Sequence, residues 1–258
     1  MIDRPVALVT GASSGFGALA VVRLRACGFH VVGTSRTATD ALIALDVDRD
    51  DSVRACIDTV LARAGRLDVV VNNAGRAMLG ACEETSAAEA RALFETNVFG
   101  VMRVVSHALP VLRAHGRGRI INIGSISGFI GVPFHGVYAA SKHALAGYTE
   151  ALRHELRPLG VRVALIEPAA HRTAIQMISP ATSLAVYDRP RAIVEAIIRA
   201  QIDRGPPPDR VVDAIVHAAR HPRPRARYRV GGRATLAALA RRLPDRLFDL
   251  VVRREFRL

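Results

Sequence analysis

The chain has 258 residues, of which half are apolar and 23% are charged. This composition excludes a disordered chain, and the length suits one large α/β domain. The three cysteines lack metal-ligand spacing, which argues against a disulfide scaffold and against a metal site.

The formal net charge of +13 is unevenly distributed along the chain. Residues 1–188 contain 19 basic and 16 acidic side chains, a net charge of +3, whereas residues 189–258 contain 17 and 7, a net charge of +10. No aromatic-rich basic strand or zinc-finger spacing accompanies this excess. We therefore expect no nucleic-acid partner.

The N-terminal and the most apolar segments bear on localisation. Residues 1–5 lead directly into a strand pattern and lack the apolar region of a signal peptide. The stretch 120–134 is interrupted by Gly, Ser and Pro, and it is shorter than the roughly 20 residues that span a bilayer. We therefore expect a cytoplasmic protein.

Short apolar strands alternate with helical patterns along the chain. Strands are expected at 6–10, 30–35, 41–47, 67–72, 119–124, 161–167 and 228–231, and helices at 15–26, 50–64, 87–114, 136–157 and 233–257. Buried strands that alternate with helices form a parallel sheet covered on both faces. The sequence predicts a single α/β domain, residues 1–258, with a Rossmann-type doubly wound sheet of about seven strands.

The connection between the second and third strands is unusually short. Five residues separate Ser35 from Ala41, whereas a parallel crossover normally takes a dozen or more residues and a helix. Five extended residues reach about 17 Å, enough to return to the start of the next strand. We expect an extended link and thin coverage of the sheet there.

The first strand is followed by a glycine-rich turn that opens the first helix, residues 10–17, TGASSGFG. Gly11 permits a tight turn, Gly15 lets the backbone approach a pyrophosphate, and Gly17 lets helix and strand pack closely. The helix N-terminus offers N–H groups to phosphates, and the Ser13 and Ser14 hydroxyls add donors. The segment predicts a dinucleotide-binding site.

The end of the second strand distinguishes between the two nicotinamide nucleotides. An NAD site usually places Asp or Glu there to bind the ribose 2′-hydroxyl. Here the strand ends at Ser35 without an acid, and Arg36 follows. Because these groups would bind a 2′-phosphate, the sequence favours NADP(H) over NAD(H).

The single lysine of the chain lies one helical turn after a tyrosine. Of 36 basic residues, 35 are Arg and one is Lys142, which stands at i+4 from Tyr138. An ammonium there is expected to lower the pKa of the phenol from about 10 towards the working range. Ser125, at the end of a strand, could hold the oxygen of a substrate while Tyr138 exchanges a proton with it.

In this arrangement the sequence resembles the short-chain dehydrogenase/reductase family in its single-domain form, over residues 5 to about 173. The resemblance is carried by Thr10-Gly11-x-x-x-Gly15-x-Gly17, Asn72-Asn73-Ala74-Gly75, Asn97, Ser125 and Tyr138-x-x-x-Lys142. It implies that Asn97 holds a water linking Lys142 to solvent and that Lys142 also binds the nicotinamide ribose.

The resemblance also implies the set of nucleotide contacts. Asp46 is expected at the adenine and Thr173 at the nicotinamide carboxamide. The expected contacts are Gly11, Ser13, Ser14, Gly15, Phe16, Gly17, Ser35, Arg36, Asp46, Val47, Asn73, Ala74, Gly75, Tyr138, Lys142, Pro168 and Thr173. Two departures stand out: Ala169 occupies the usual glycine position after Pro168, and the crossover helix after Arg36 is missing.

The last third of the chain is expected to serve the substrate. Residues 174–225 form the variable substrate lid, with apolar walls from Phe129, Phe134, His135, Ile175, Met177, Ile178, Leu184, Val186 and Tyr187. Residues 233–257 are expected to form basic amphipathic helices; packing on their own domain or on a twin subunit is favoured, and contact with an anionic membrane surface is the alternative. The arrangement resembles the branch that includes 17β-hydroxysteroid and retinol dehydrogenases.

The leading hypothesis is an NADP(H)-dependent oxidoreductase that interconverts a lipophilic alcohol and its ketone or aldehyde. Tyr138 is its acid/base, Lys142 lowers the phenol pKa, Ser125 holds the substrate oxygen and Asn97 supports a proton relay. The alternative is a non-catalytic NADP(H)-binding redox sensor. By family resemblance we expect a homodimer or homotetramer.

Overall fold

The computed structural model describes residues 3–173 and 175–258. Nine strands are found in these ranges: β1 (Val6–Val9), β2 (His30–Ser35), β3 (Leu42–Ala44), β4 (Val69–Asn72), β5 (Ala77–Met78), β6 (Arg119–Ile123), β7 (Arg162–Pro168), β8 (Met177–Ile178) and β9 (Arg227–Val230). The α-helices are α1 (Gly15–Ala26), α2 (Asp50–Ala64), α3 (Ala87–Phe94), α4 (Gly100–Ala114), α5 (Gly136–Leu156), α6 (Ala185–Asp203), α7 (Asp209–Arg220), α8 (Gly232–Ala240) and α9 (Asp245–Phe256).

Seven parallel strands form one sheet in the order β3-β2-β1-β4-β6-β7-β9, and β5 pairs with β8 in a separate ribbon. The strand order reverses between β1 and β4, where Val9 is in register with Gly33 on one side and Val71 on the other. Ligands of such folds bind beyond the carboxyl ends of the strands at this reversal. The expected doubly wound seven-stranded sheet is confirmed.

The helices cover both faces of the sheet, as the continuous apolar strands predict. Leu8 on one face joins a buried cluster with α2, α4 and α5, whereas Val9 on the other joins a cluster with α1 and α7. Because successive side chains of a strand point to opposite faces, a strand buried on both sides has no polar alternation. The sheet is therefore the shared wall of two apolar cores.

The short link after β2 contains no helix, as expected. Leu42 at the start of β3 is in register with Gly33, and the link that returns the chain bends at residues 36–37 and 40–41. The Thr39 hydroxyl accepts hydrogen bonds from the Ala41 and Leu42 N–H groups and sets the turn into β3. The third strand is shorter than the predicted 41–47.

The predicted continuous helix at 87–114 was wrong in one respect. A π-helical turn, Glu95–Phe99, separates α3 from α4. Such a turn inserts an extra residue into the helix, often at functional sites, and hydrophobic periodicity does not reveal it. This turn carries Asn97.

The C-terminal segment forms two helices, α8 and α9, joined by a short turn after β9. The proline-rich segment 205–208 lies in the connection between α6 and α7. No helix within residues 3–173 and 175–258 is both long and apolar enough to cross a membrane.

Candidate active site

The glycine-rich turn lies between β1 and α1 at the edge of a large cleft. Gly15 has a φ of +55°, which a residue with a side chain rarely adopts. A Cβ on Gly17 would lie 2.3 Å from the Gly11 carbonyl oxygen, so helix and turn can pack this closely only without a side chain. The Ser14 side chain does not cap α1, which leaves the first-turn N–H groups without a side-chain partner. This turn fits an anionic phosphate group.

Asn73 fastens the turn to the end of β4. Its Nδ2 donates to the carbonyl oxygens of Thr10 and Gly11, each at 2.9 Å. The Thr10 hydroxyl accepts from the Asn73 and Ala74 N–H groups at 3.0 Å. Asn73 is therefore a bracing residue, and the neighbouring Ala74 and Gly75 line the cleft.

The end of β2 places Ser35 and Arg36 on the rim of the same cleft, with Asp46 and Val47 across from them. The Ser35 hydroxyl donates to the Thr37 carbonyl oxygen, so its proton is engaged within the link. The Asp46 carboxylate accepts from the Asp48 N–H at 3.1 Å. Arg36 is exposed and has no ion-pair partner in the described part of the chain.

Ser125, Tyr138 and Lys142 come together at the base of the cleft. Ser125 follows β6, and Tyr138 and Lys142 lie one turn apart on α5; all three are at most 9% exposed. Lys142 Nζ donates to the Ile123 carbonyl oxygen at 3.0 Å and lies 5.9 Å from the centre of the Tyr138 ring. The expected grouping of these three side chains is present.

The electrostatics of this group differ from the sequence-based expectation. Burial raises the pKa of the Tyr138 phenol, and the interaction that opposes this is a hydrogen bond with Ser125 rather than the Lys142 charge. Burial lowers the pKa of Lys142 to about 8. The physical reason is that a buried ammonium is itself destabilised when water is removed, which the sequence pattern does not reveal.

Asn97 is held in the π-helical turn with both ends of its amide hydrogen-bonded. Its Oδ1 accepts from the Arg76 N–H at 2.9 Å, and its Nδ2 donates to the Arg76 carbonyl oxygen at 2.9 Å and to the Ser141 hydroxyl at 3.1 Å. The side chain thereby fixes the backbone next to Gly75, where an added Cβ would lie 3.8 Å from Lys142 Nζ. Asn97 Oδ1 accepts one of the two hydrogen bonds that an amide oxygen can accept, and the expected role of Asn97 in holding a water stays a prediction.

A second buried amide network went unrecognised in the sequence. Asn72 Nδ2 donates to Asn122 Oδ1 at 2.8 Å, and Asn122 Nδ2 donates to the Thr149 hydroxyl at 2.9 Å. Asn72 is the last residue of β4 and is in register with Asn122, one residue before the end of β6; Thr149 reaches them from α5. The signal that could have identified the network is an Asn near the end of each of two otherwise apolar strands.

The loop after β7 closes the cleft opposite the glycine turn. Pro168 and Thr173 line it, and Thr173 lies across from Gly15, where an added Cβ would be 3.7 Å away. Among the described residues, the non-glycine positions with positive φ are Phe134 and Arg257, so Ala169 has an ordinary backbone in the usual glycine position. The Ala169 N–H donates to the Val230 carbonyl oxygen at 3.0 Å, which anchors the loop to β9.

Two buried histidines in the cleft have ring nitrogens without a partner in residues 3–173 and 175–258. His171 donates from Nδ1 to the Ala169 carbonyl oxygen at 2.8 Å, and its Nε2 is unpaired. His135 packs edge-on against the Tyr138 ring, with centroids 5.3 Å apart, and its Nε2 is also unpaired. Burial lowers the pKa of His135 to about 4, so this ring is neutral at pH 7.

The cleft is one continuous cavity of about 860 Å³ that joins the glycine turn to an apolar compartment. Several expected wall residues do not line it: Phe129, Phe134, Ile178, Leu184, Val186 and Tyr187. Phe134 and Tyr187 pack against each other instead, with centroids 6.1 Å apart. The apolar walls are Ile126, Ile130, Val132, Ile175, Met177, Ile198, Ile202, Leu236, Ala237, Phe248, Val251, Val252 and Phe256.

The wall residues from α8 and α9 were missed as site residues. Their periodicity indicated amphipathic helices but not the surface against which each face would lie.

The sequence model of the family described as short chain dehydrogenase matches residues 5–183. The chain belongs to this family.

Curated relatives are found among bacterial and animal oxidoreductases. The chain is 44% identical over 191 residues to the uncharacterized oxidoreductase YusZ of Bacillus subtilis, covering 67% of this chain and 68% of YusZ. It is 40% identical to a 3-ketodihydrosphingosine reductase of Bacteroides thetaiotaomicron (65% of this chain, 64% of that protein) and 36% identical to retinol dehydrogenase 8 of Bos taurus (65% and 60%). The last match gives weak support to the expected retinol dehydrogenase-like branch.

Solved structures share the fold over nearly the whole chain. A short-chain dehydrogenase from Streptomyces avermitilis has a TM-score of 0.84 at 33% identity and covers 92% of this chain and 91% of its own. A Burkholderia phymatum family member in complex with NAD has a TM-score of 0.80 at 27% identity (96% and 95%), and a metagenomic oxidoreductase in complex with NADP has 0.70 at 29% (89% and 97%). This chain is an oxidoreductase of a family whose members bind either nucleotide.

Proposed function

We propose that this protein is an NADP(H)-dependent oxidoreductase that interconverts a lipophilic alcohol and its ketone or aldehyde. The observation that carries the proposal is the single cavity in which the glycine turn, the group Ser125, Tyr138 and Lys142, and the apolar compartment meet. A nucleotide site, an acid/base group and an apolar substrate site are thus parts of one continuous cleft.

The nucleotide site consists of residues that fit the phosphates and the ribose. The uncapped N-terminus of α1 and the Ser13 and Ser14 hydroxyls hold the pyrophosphate. Arg36 binds the 2′-phosphate, and no acidic residue stands at the end of β2, where an NAD site usually has one. The preference for NADP(H) over NAD(H) rests on the positive charge of Arg36 at the rim of the cleft.

The acid/base chemistry belongs to three buried side chains. A bound nicotinamide nucleotide supplies or accepts the hydride. In reduction Tyr138 gives its phenol proton to the substrate oxygen, which Ser125 holds through its hydroxyl. Lys142, whose pKa burial lowers to about 8, exchanges protons near neutral pH and so returns one to the phenol. Asn97 keeps the backbone beside Lys142 in place through Arg76.

The apolar compartment supports a lipophilic substrate. Its walls come from the loops after β6 and β7 and from α6, α8 and α9, and they are mainly apolar, with Gln176, Gln201, Arg233 and Glu255 among them. Two relatives are named for lipophilic substrates, a ketodihydrosphingosine and retinol. His135, neutral and with an unpaired Nε2, adds one polar group that can orient a substrate within this compartment.

The test is a turnover assay with both nucleotides and a panel of carbonyl compounds. The protein is mixed with NADPH or NADH and with ketones and aldehydes of increasing chain length, and nucleotide absorbance is followed. We expect turnover with NADPH, increasing with the apolar length of the substrate. Tight NADPH binding without turnover on any member of the panel would instead support the non-catalytic redox sensor.

A further inference from the structure

The C-terminal helices expose an apolar stripe that the fold leaves uncovered. α9 buries one side: Phe256 is 8% exposed and packs with Val194 and Ile198 of α6. Its other side carries Leu247, Leu250 and Val251, which are 50%, 63% and 45% exposed. With 3.6 residues per turn these three share one face, and they are large apolar side chains in water.

The stripe continues across the helix–helix turn onto α8. Leu236 and Leu239 are 65% and 55% exposed, and Leu243 in the turn is 39% exposed. An ion pair between Arg233 and Glu255 links the two helices, and Leu236 and Val251 line the same cavity. We call this surface, residues 236–251 with their exposed leucines and valine, the hairpin face.

The hairpin face adjoins the open edge of the cavity. Leu236 of α8 and Val251 of α9 belong both to the exposed stripe and to the cavity lining. Ile175, 40% exposed, lines the cavity as well. The apolar compartment is therefore continuous with the apolar outer surface of the hairpin.

Unpaired arginines border the stripe. Residues 232–258 contain seven arginines and three acidic residues, a net charge of +4. Asp245 and Glu255 already pair with Arg241 and Arg233. Within the described ranges no ion pair involves the remaining arginines, which are all exposed: Arg242, Arg246, Arg253, Arg254 and Arg257. On the α9 helical wheel Arg246 and Arg253 lie along one edge of the stripe, and Arg254 lies between Leu247 and Leu250 within it.

We propose that the hairpin face docks on the surface of an anionic lipid bilayer. The leucines enter the headgroup boundary, and the arginines bind lipid phosphates while their aliphatic stems remain in apolar surroundings. A helix with apolar residues on one face and unpaired cations at its edge matches an anionic bilayer, in which negatively charged headgroups lie above an apolar acyl-chain layer. The cavity mouth then opens towards the bilayer; this last step rests on the proposed lipophilic substrate.

A second copy of this chain matches the hairpin face less well. In a two-fold symmetric dimer the same surface meets itself, so the unpaired arginines of one copy would approach those of the other. Like charges brought together at an interface oppose association. An anionic bilayer offers the opposite charge at the same place.

The experiment is sedimentation of the full chain with vesicles. Phosphatidylcholine vesicles containing phosphatidylserine are compared with pure phosphatidylcholine vesicles, at low salt and at about 0.5 M salt, where the screening length is only a few ångströms. We expect binding to the anionic vesicles, and much weaker binding to neutral vesicles or at high salt. Equal binding to both vesicles, or binding to neither, would overturn the proposal.

Two double variants test the two halves of the surface separately. Leu247→Gln with Leu250→Gln removes apolar contact, and Arg246→Gln with Arg253→Gln removes charge; none of the four lines the cavity. Each basic residue near the surface contributes about 1 kcal/mol, so the arginine variant should lower the vesicle partition coefficient by at least about tenfold. The leucine variant should lower it by a similar factor. The matched controls Leu159→Gln and Arg54→Gln with Arg63→Gln alter exposed residues elsewhere and should bind like the wild type.

Two further readouts separate docking from folding, dimerisation and catalysis. Circular dichroism and turnover on a water-soluble carbonyl should be unchanged in both double variants. If the leucine variant converts a dimer to a monomer but still binds vesicles, the face is a subunit interface and the proposal is wrong. Vesicle binding without turnover on any carbonyl would contradict the proposed function but not the docking. Turnover without vesicle binding would contradict the docking but not the proposed function.

Discussion

Asn97 and Arg76 are joined by two hydrogen bonds: the amide of Asn97 accepts from the Arg76 N–H and donates to the Arg76 carbonyl oxygen, both at 2.9 Å. The Asn97 side-chain amide thus pairs with the Arg76 backbone through one accepted and one donated hydrogen bond, as paired residues of two neighbouring strands do. The π-helical turn brings Asn97 to this position, and the segment that it holds runs past Lys142. This pairing makes Asn97 a positioning residue for the acid/base group.

Replacing Asn97 should therefore affect both stability and turnover. Asn97→Ala leaves the Arg76 N–H and carbonyl unpaired, and we expect the free energy of unfolding to fall by about 1–3 kcal/mol. Turnover should fall even well below the melting temperature, because the backbone beside Lys142 is released. The control is Asn122→Ala, which removes a comparable buried amide outside the cavity and should lower stability alone. Denaturant unfolding and kcat measurements on both variants check this expectation. If Asn97→Ala had the same kcat as Asn122→Ala, the positioning role of Asn97 would be contradicted.

Tyr138→Phe should separate catalysis from nucleotide binding. The variant loses the phenol that exchanges the proton, so kcat should fall by about 10²- to 10⁴-fold. The dissociation constant for NADPH, measured by fluorescence titration, should change little. Tyr148→Phe, on the same helix but half-buried against the core and outside the cavity lining, is the matched control and should keep normal turnover. Equal losses of binding and turnover in Tyr138→Phe would mean that its role is structural.

Lys142→Arg should lose most of its turnover although it keeps the positive charge. The Lys142 side chain is 6% exposed and reaches the Ile123 carbonyl oxygen beside the glycine-lined cleft. A planar guanidinium is bulkier and stays protonated, so it neither fits this space nor exchanges a proton near neutral pH. We expect kcat to fall at least about a hundredfold. Near-normal turnover would remove lysine from the proton relay.

Lys142 also predicts a dependence of stability on pH. Burial lowers its pKa in the folded state to about 8, below the value of 10.5 in a solvated lysine. Between these two values the unfolded chain binds more protons than the folded one, so this residue makes the protein more stable as pH rises from 8 towards 10.5. The contribution is up to about 1.4 kcal/mol per pH unit.

The comparison of wild type with Lys142→Met isolates that contribution. Denaturant unfolding at pH 7, 8, 9 and 10 gives the difference in unfolding free energy between the two proteins. The difference should shift in favour of the wild type with rising pH, because the methionine variant lacks the titrating group. A difference that stays constant across this range would show that the ammonium is not destabilised by burial.

Arg36→Asp should change the nucleotide preference. The charge reversal places a carboxylate where a 2′-phosphate would bind and where a 2′-hydroxyl could donate to it. We expect NADPH binding to weaken at least about tenfold, the size of one charge-assisted hydrogen bond, and NADH binding to improve. Arg63→Asp, exposed on α2 and remote from the cleft, should leave both dissociation constants unchanged. An unaltered preference would place the 2′-phosphate on another residue.

Much of the fold and of the candidate site could be predicted from the sequence, because these features are local. Apolar runs and glycine positions gave the order of strands and helices and the turn at residues 10–17. The spacing of Tyr138 and Lys142 follows from one helical turn. The helix-free link after Arg36 follows from the five residues available between two strands.

The remaining features depended on which surfaces meet in three dimensions. Periodicity shows that a helix has an apolar face but not what covers it, so the cavity-lining role of α9 and the exposure of Leu247 and Leu250 required the tertiary structure. The π-helical turn at Asn97 does not change the periodic pattern enough to be recognised. The pKa of Lys142 depends on water being excluded from all sides, which only the packing of distant segments around it decides.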